Sequence, residues 1–449
     1  MSMPASPLKA IRGHVVQWTG RNPFVEDEAD CIRDIPRGII LVEDGRIVDV
    51  GTADEIDVTG LPVEDHGDKI IIPGFIDTHL HFPQTEMIGS FGKQLLDWLN
   101  TYTFPTEMEF ADPDHAARVA KLFVGELLRN GTTTCSAFCS VHPGSVEALF
   151  SEAASRNMRL IAGKVAMDRN APEGLTDTAQ SAYDDSKALI ERWHGRGRIE
   201  YSITPRFCIT STPEQMEAMG ALAGEFTDCH IQSHIDENLA EIDFTLELYP
   251  GHETYAHVYH HYGLLREKAI YGHAVHMPQA GRTLFAETGT AIAHCPTSNM
   301  FLGSGNFRLH EFMTGDQPVN CGLATDIGAG TSFSMLVTLN EAYKAAQLNG
   351  QALSAIQGFW LATMGSAKSL HISRHVGNLA MGMEADITVL DPRSTDILAA
   401  RTSRANSLSE TLFALMTMGD DRAIAATYVA GEQVTAGDKP ELGLAEILA

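Results

Sequence analysis

Two histidines separated by one residue, His79 and His81, close the apolar run GFIDTHLH (74 to 81). Side chains alternate faces along an extended strand, so both imidazoles project the same way and form half of a metal site. Three further runs end in residues of the same chemical kind: His234 in HIQSHIDEN, His273 in AIYGHAVHM and Asp326 in CGLATDIGAG. His79, His81, His234 and Asp326 together offer three nitrogens and one carboxylate oxygen. That set suits zinc or iron with one coordination position left for water. Any one of these residues alone reads as a hydrogen-bonded core histidine or a helix-capping aspartate, and the weight lies in their recurrence at run ends.

The chemistry follows from the ion's charge, since a bound divalent metal lowers the pKa of water to about 7 and supplies hydroxide at neutral pH. Asp326 is suited to accept the water proton. Glu237, three residues past His234, is placed to face the substrate as a proton shuttle. His273 would polarise the surroundings of the attacked carbon or hold the hydroxide.

These residues need a scaffold that brings strand ends together. Apolar β-like runs begin near residues 74, 131, 159, 199, 230, 269, 291 and 319. Their spacing is mostly the roughly 25 to 40 residues of a βα unit, which predicts an α/β fold containing a (β/α)8 barrel over 73–375. Such barrels carry function at the C-terminal ends of their strands. Between the runs, Asp112-Pro113 opens an amphipathic helix that Asn130-Gly131 closes, and Thr212-Pro213-Glu214-Gln215 reads as a capping box. The chain ends have a different texture. GIILVEDGRIVDVG (38 to 51) reads as a hairpin around Asp44-Gly45, and ADITVLDP and IAATYVAGEQV near the other end are also β-rich. Neither end holds enough strands for its own core, so residues 1–72 and 376–449 are expected to build one small composite β-sandwich.

Composition narrows the partners. With 32 Lys+Arg against 58 Asp+Glu the net charge is −26, which excludes nucleic-acid binding through a basic surface but not a small base as substrate. Seven cysteines, odd in number and without a C-x-x-C pair, fit reduced thiols packed as small hydrophobes. The opening MSMPASPLKAIRGH has no apolar signal run, and no stretch approaches the roughly 18 apolar residues of a membrane span. The expectation is a soluble, cytoplasmic protein with no membrane partner.

Beyond these patterns, PGFIDTHLHFPQ, LLDWLNTYTFPTE, MDRN, TPRF, QSHIDEN, AHCPTSNMFLGSG, TDIGAGTSFSML and GDDRAIAATYVAGEQV occur in this order from residue 73 to 434. The series resembles the amidohydrolase superfamily, and within it the guanine deaminases, over nearly the whole chain. The resemblance implies a purine substrate, hydrolytic deamination of guanine to xanthine and ammonia, a place in purine catabolism, and a homodimer. It also implies zinc held by His79, His81, His234 and Asp326, with His273 beside the activated water. Gln84 in HFPQ and Arg206-Phe207 in TPRF match the family's purine-binding positions. An arginine can donate to a ring carbonyl, a glutamine both donates and accepts, and a phenylalanine offers an apolar face.

The sequence departs from the family pattern at Ala324 and Ala329, where glycines are usual. Members with two metals bridge them through a modified lysine on strand four. The fourth run here, IEYSITPRF, has none, and Lys164 is expected on strand three, so one metal per chain is expected. Two alternatives stand beside guanine: another amino-heterocycle such as 8-oxoguanine or a pterin, and an inert relative kept as a binding or assembly protein. Metal content separates the second alternative from an enzyme. His276 and His294 are expected to be packing residues near the site.

Overall fold

A computed structural model of the chain describes residues 7–91 and 94–434. Four strands open it: β1 (Lys9–Trp18), β2 (Ile32–Glu43), β3 (Arg46–Thr52) and β4 (Val63–Pro73). The expected β2–β3 hairpin forms, and Asp44 and Gly45 both take the positive φ its two-residue turn needs. The barrel follows as β5 (Phe75–His81), β6 (Thr132–Phe138), β7 (Arg159–Gly163), the short β8 (Val165–Ala166), β9 (Ile199–Pro205), β10 (His230–Ile235), β11 (Ala269–His273), β12 (Ala291–His294) and β13 (Cys321–Leu323). Setting aside β8, which pairs only with β9, the eight strands run parallel in chain order and start within two residues of the expected positions.

The seam between β13 and β5 is closed by main-chain bonds from Asp326 N–H to the His79 carbonyl, 2.9 Å, and from His81 N–H to that of Ile327, 2.6 Å. Barrel closure therefore sets the candidate site's geometry directly. Helices wrap the strands as their periodicity requires. Pro113–Arg129 buries Val119, Phe123 and Leu127, and the Asp112 side chain caps its first turn. At Thr212 only half of the expected capping box exists. The threonine accepts from Gln215 N–H, but the Gln215 side chain turns away to donate to Asp177.

Strands β14 (Ile387–Leu390), β15 (Ile424–Val429) and β16 (Glu432–Gln433) return to the N-terminal strands, giving one seven-stranded sheet in the order β16-β15-β14-β4-β1-β2-β3. The expected composite of both chain ends is present, with residues 1–6 and 435–449 outside the described residues. Its layers are made differently from two separately bonded sheets. One mixed sheet, with β1 and β4 parallel, folds over until Gly45 meets Ala430, enclosing Ile11, Val15, Ile40, Ile71, Ile387 and Val389.

Glu384, just before β14, fastens this sheet to the barrel. It accepts from Arg159 at 2.6 and 3.1 Å and from Arg198 at 2.9 Å, while Arg198 also bonds Asp386. Burial alone would raise the Glu384 pKa, but the hydrogen bonds and charges of the two arginines outweigh it and hold the carboxyl below its ordinary range. Glu384→Ala leaves two buried guanidinium groups short of an anion and is expected to cost about 3 to 5 kcal/mol in denaturant unfolding. A folded-state pKa that is depressed contributes stability above the ordinary carboxylate pKa. In a pH series that contribution is lost as pH falls through the lowered value, and the Ala variant should lack that part of the acid dependence.

Candidate active site

All the site residues expected from the sequence meet at the C-terminal mouth of the barrel, and all of them but His79 line one pocket there. His79 and His81 end β5 as expected. His234 is followed by one more strand residue in β10, and Asp326 lies three residues beyond β13 rather than at its end. Asp326, His273 and Ala274 have φ of 52°, 78° and 52°. The backbone thus leaves the β conformation where the side chains must turn inward, and local strain of this kind collects at functional sites.

The imidazoles of His79, His81 and His234 converge. His81 Nε2 lies 3.1 Å from His234 Nε2, and Asp326 Oδ1 lies 3.4 Å from His81 Nε2 and 3.5 Å from His79 Nε2. His234 is aimed by its other nitrogen, which bonds the Arg206 carbonyl at 2.7 Å. Burial, and then the neighbouring imidazoles, hold all three histidines well below their usual pKa, so they are neutral with free lone pairs. His79 Nε2 is buried with no hydrogen-bond partner. A buried orphan nitrogen facing two imidazoles and a carboxylate is the donor set a divalent cation satisfies.

The cradle leaves no slack. Gly272 on β11 lies beside His79, and a Cβ there would come within 2.6 Å of His79 Cε1. Gly272→Ala is therefore expected to displace the ring and weaken metal binding about tenfold or more, read by metal titration of the purified protein.

Glu237 and His273 stand beside this cluster, the His273 ring 5.5 Å from that of His79 and 5.6 Å from that of His234. Glu237 Oε2 lies 3.4 Å from His273 Nε2, and its Oε1 accepts from the Ser304 hydroxyl at 2.9 Å. His273 Nδ1 is held by Asn299 Oδ1 at 2.9 Å, and its Nε2 lies 3.8 Å from Asp326 Oδ2. Burial pushes Glu237 up to about 7, partly offset by Ser304, and pushes Asp326 up to about 7 against the pull of His273. Carboxyls near neutrality can both take and return a proton.

Gln84, Arg206 and Phe207 line the same pocket with Trp98, Leu99 and Leu302. Several neighbours carry weight that their residue types alone did not announce. Asn299 and Ser304 sit within AHCPTSNMFLGSG, and Glu107 in TFPTE contacts Gln84 and Arg206. Glu241 accepts from the Glu237 and Asn238 N–H groups at 3.0 and 3.1 Å, fixing the backbone that carries Glu237. Cys295 stands near His79, His273 and Asp326. Burial keeps it a thiol, donating to the Ala293 carbonyl.

His276 bonds the Ser304 carbonyl at 2.8 Å and so steadies the loop that holds Glu237, whereas His294 packs on Phe307. Lys164 is one residue past β7 rather than on it, and it pairs with Asp177. Ala324 is buried in the core and Ala329 lines the pocket.

Comparison with known proteins meets this geometry. Residues 70–434 match the amidohydrolase family model. The guanine deaminase of Escherichia coli (strain K12) is 47% identical over 431 residues, covering 95% of this chain and 98% of that one. The crystal structure of guanine deaminase from Bradyrhizobium japonicum superposes with a TM-score of 0.92 at 36% identity, over 95% of this chain and 99% of that one. That of the C. acetobutylicum enzyme with guanine bound in its active site gives 0.86 at 29% identity, over 95% and 100%. A barrel closed through its own candidate metal ligands, a composite sheet from both chain ends and these likenesses agree: the chain belongs to the amidohydrolase family, on its guanine deaminase branch.

Proposed function

We propose that the protein is a guanine deaminase, converting guanine and water to xanthine and ammonia. One observation carries this reading: His79, His81, His234 and Asp326 converge, and the last three of them line one pocket with Gln84, Arg206 and Phe207, in a chain 47% identical to a guanine deaminase. The four cluster residues would hold one zinc per chain. When bound, the ion supplies a water that deprotonates near neutral pH.

The remaining steps belong to the chain's own groups. Phe207 offers its face to the purine, while Arg206 and Gln84 hold its oxygen-bearing edge so that C2 faces the attacking water. Asp326 takes the proton of that water on its carboxylate. Glu237 delivers a proton to ring N3, and His273, held by Asn299, stabilises the tetrahedral carbon. Glu237, having given one proton to N3, takes the next from the new C2 hydroxyl and passes it to the exocyclic amine, which leaves as neutral ammonia as the carbon collapses to the carbonyl of xanthine. The water proton held on Asp326 then returns to Glu237 and resets both groups.

All seven cysteines are buried free thiols, which supports a reducing, cytoplasmic setting. No described helix is long and apolar enough to cross a membrane. The two-subunit assembly implied by the resemblance is proposed with the activity, and sedimentation velocity tests it.

The deciding experiment is a spectrophotometric assay on metal-quantified protein, offering guanine beside 8-oxoguanine, adenine, cytosine and a pterin. Guanine alone is expected to turn over, with about one zinc per chain. Stoichiometric metal without guanine turnover would reassign the substrate to another amino-heterocycle.

A further inference from the structure

We propose that Glu107 is a positioning residue that sets which hydrogen-bonding groups the pocket wall shows to the base, and thereby selects a 6-oxo purine over a 6-amino one. The inference rests on the guanine reading above and deepens it.

Glu107 lies in the short helix Phe104–Met108, is 1% exposed and stands behind the pocket wall rather than on it. Its two oxygens are divided between the two candidate purine-reading side chains. Oε1 accepts from Gln84 Nε2 at 2.9 Å, and Oε2 accepts from Arg206 Nη1 at 2.6 Å. A buried carboxylate needs such partners, and here they are the wall itself.

The consequence for Gln84 is directional. Its Oε1 accepts from the Gly328 N–H at 3.2 Å, so the amide is held at both ends. Turning it over would set oxygen against carboxylate and NH2 against N–H. Arg206 is fixed by the same helix a second time, because the Phe104 ring lies 5.6 Å from its guanidinium carbon.

Gln84 and Arg206 both line the pocket, and the hydrogens not given to Glu107, one on Gln84 Nε2 and the others on the guanidinium, are donors that a ligand can engage, whereas Gln84 Oε1 is turned to the Gly328 N–H. A wall of donors matches a keto oxygen and an unprotonated ring nitrogen, whereas a 6-amino group sets donor against donor. Sites built around buried hydrogen bonds discriminate strongly on this basis.

The test compares wild type with Glu107→Gln on guanine, 2,6-diaminopurine and 2-aminopurine, with bound metal measured in each. Where a 6-amino purine turns over too slowly, its Ki against guanine serves. A neutral amide at 107 removes the anion that fixes Gln84 and Arg206. kcat/KM for guanine is then expected to fall about a hundredfold, mainly through KM. The preference for guanine over 2,6-diaminopurine should narrow by about tenfold or more, with metal content unchanged.

A purely structural role would lower activity on all three purines together, so an unchanged preference overturns the proposal. If E107Q does not accumulate as folded protein, Glu107→Asp keeps the charge but is one carbon too short to reach both partners, and the same ratio decides. Wild type that fails to turn over guanine overturns both this inference and the reading beneath it; wild type active on guanine with an unchanged ratio in the variant overturns this inference alone.

Discussion

Glu237→Gln is expected to lower guanine turnover about a thousandfold while leaving bound metal and folding unchanged, an effect in the usual range for a lost general acid-base. The substitution is isosteric, so Ser304 and the Glu241 contact to the backbone keep the side chain in place. What it removes is the exchangeable proton. Glu237 is almost wholly buried, and Leu95, Trp98, Leu99 and Leu302 on the pocket lining are apolar and offer no group to take over the proton transfer. Parallel measurement of kcat and metal content checks the expectation. A Gln variant with full turnover would end the shuttle role.

Stripping the metal is expected to abolish turnover by more than a hundredfold and to lower the melting temperature, with both restored by stoichiometric zinc. The structural reason is that His79 Nε2, buried without a hydrogen-bond partner, faces the neutral imidazoles of His81 and His234 and the Asp326 carboxyl. An ion that binds the folded chain and not the unfolded one adds its binding free energy to stability. The dependence on pH has a definite sign. Burial holds the metal-free Asp326 carboxyl up to about 7, so below that pH a proton competes with the ion and apparent affinity falls. Calorimetry of metal-free protein with and without added zinc at pH 6 and pH 8 reads both effects. Full activity after exhaustive chelation would refute the metal's role.

Much of this site was legible in the sequence, for identifiable physical reasons. His79 and His81 announce themselves because a strand's period of two puts them on one face. His234 and His273 follow because parallel strands in a barrel all end at the same mouth. Asp326 was placed correctly in space but not on its strand. The main chain leaves β13 at Leu323 and passes through a left-handed residue to close the barrel, which a run of apolar residues does not reveal. Glu107 and Glu241 were beyond a residue-by-residue reading. Each is an acid in a helix, where a solvated side chain is the ordinary outcome, and only tertiary packing buries it against the pocket's working groups.

The fold shows the same division. Hairpin chemistry at Asp44-Gly45 and capping at Asp112 are local and were readable. The parallel pairing of β1 with β4, and the single sheet that doubles back on itself, depend on contacts across the whole chain. Even at Thr212 the local signal is overridden, because the half-buried Asp177 draws the Gln215 side chain away from the cap.

The composite sheet also places a demand on synthesis. Strand β4 finds β14 at Ile387, and Glu64 receives the Tyr428 hydroxyl from 364 residues further along. At roughly 5 to 20 residues per second on the ribosome, that edge waits on the order of 20 to 70 seconds for its cover. Until then the row Ile70-Ile71-Ile72 presents open backbone and apolar side chains to the surroundings. The last strands made are the ones that shield the first, so a chain released early is exposed to aggregation even if its barrel has formed. Chaperone dependence should therefore rise sharply for products truncated before residue 387.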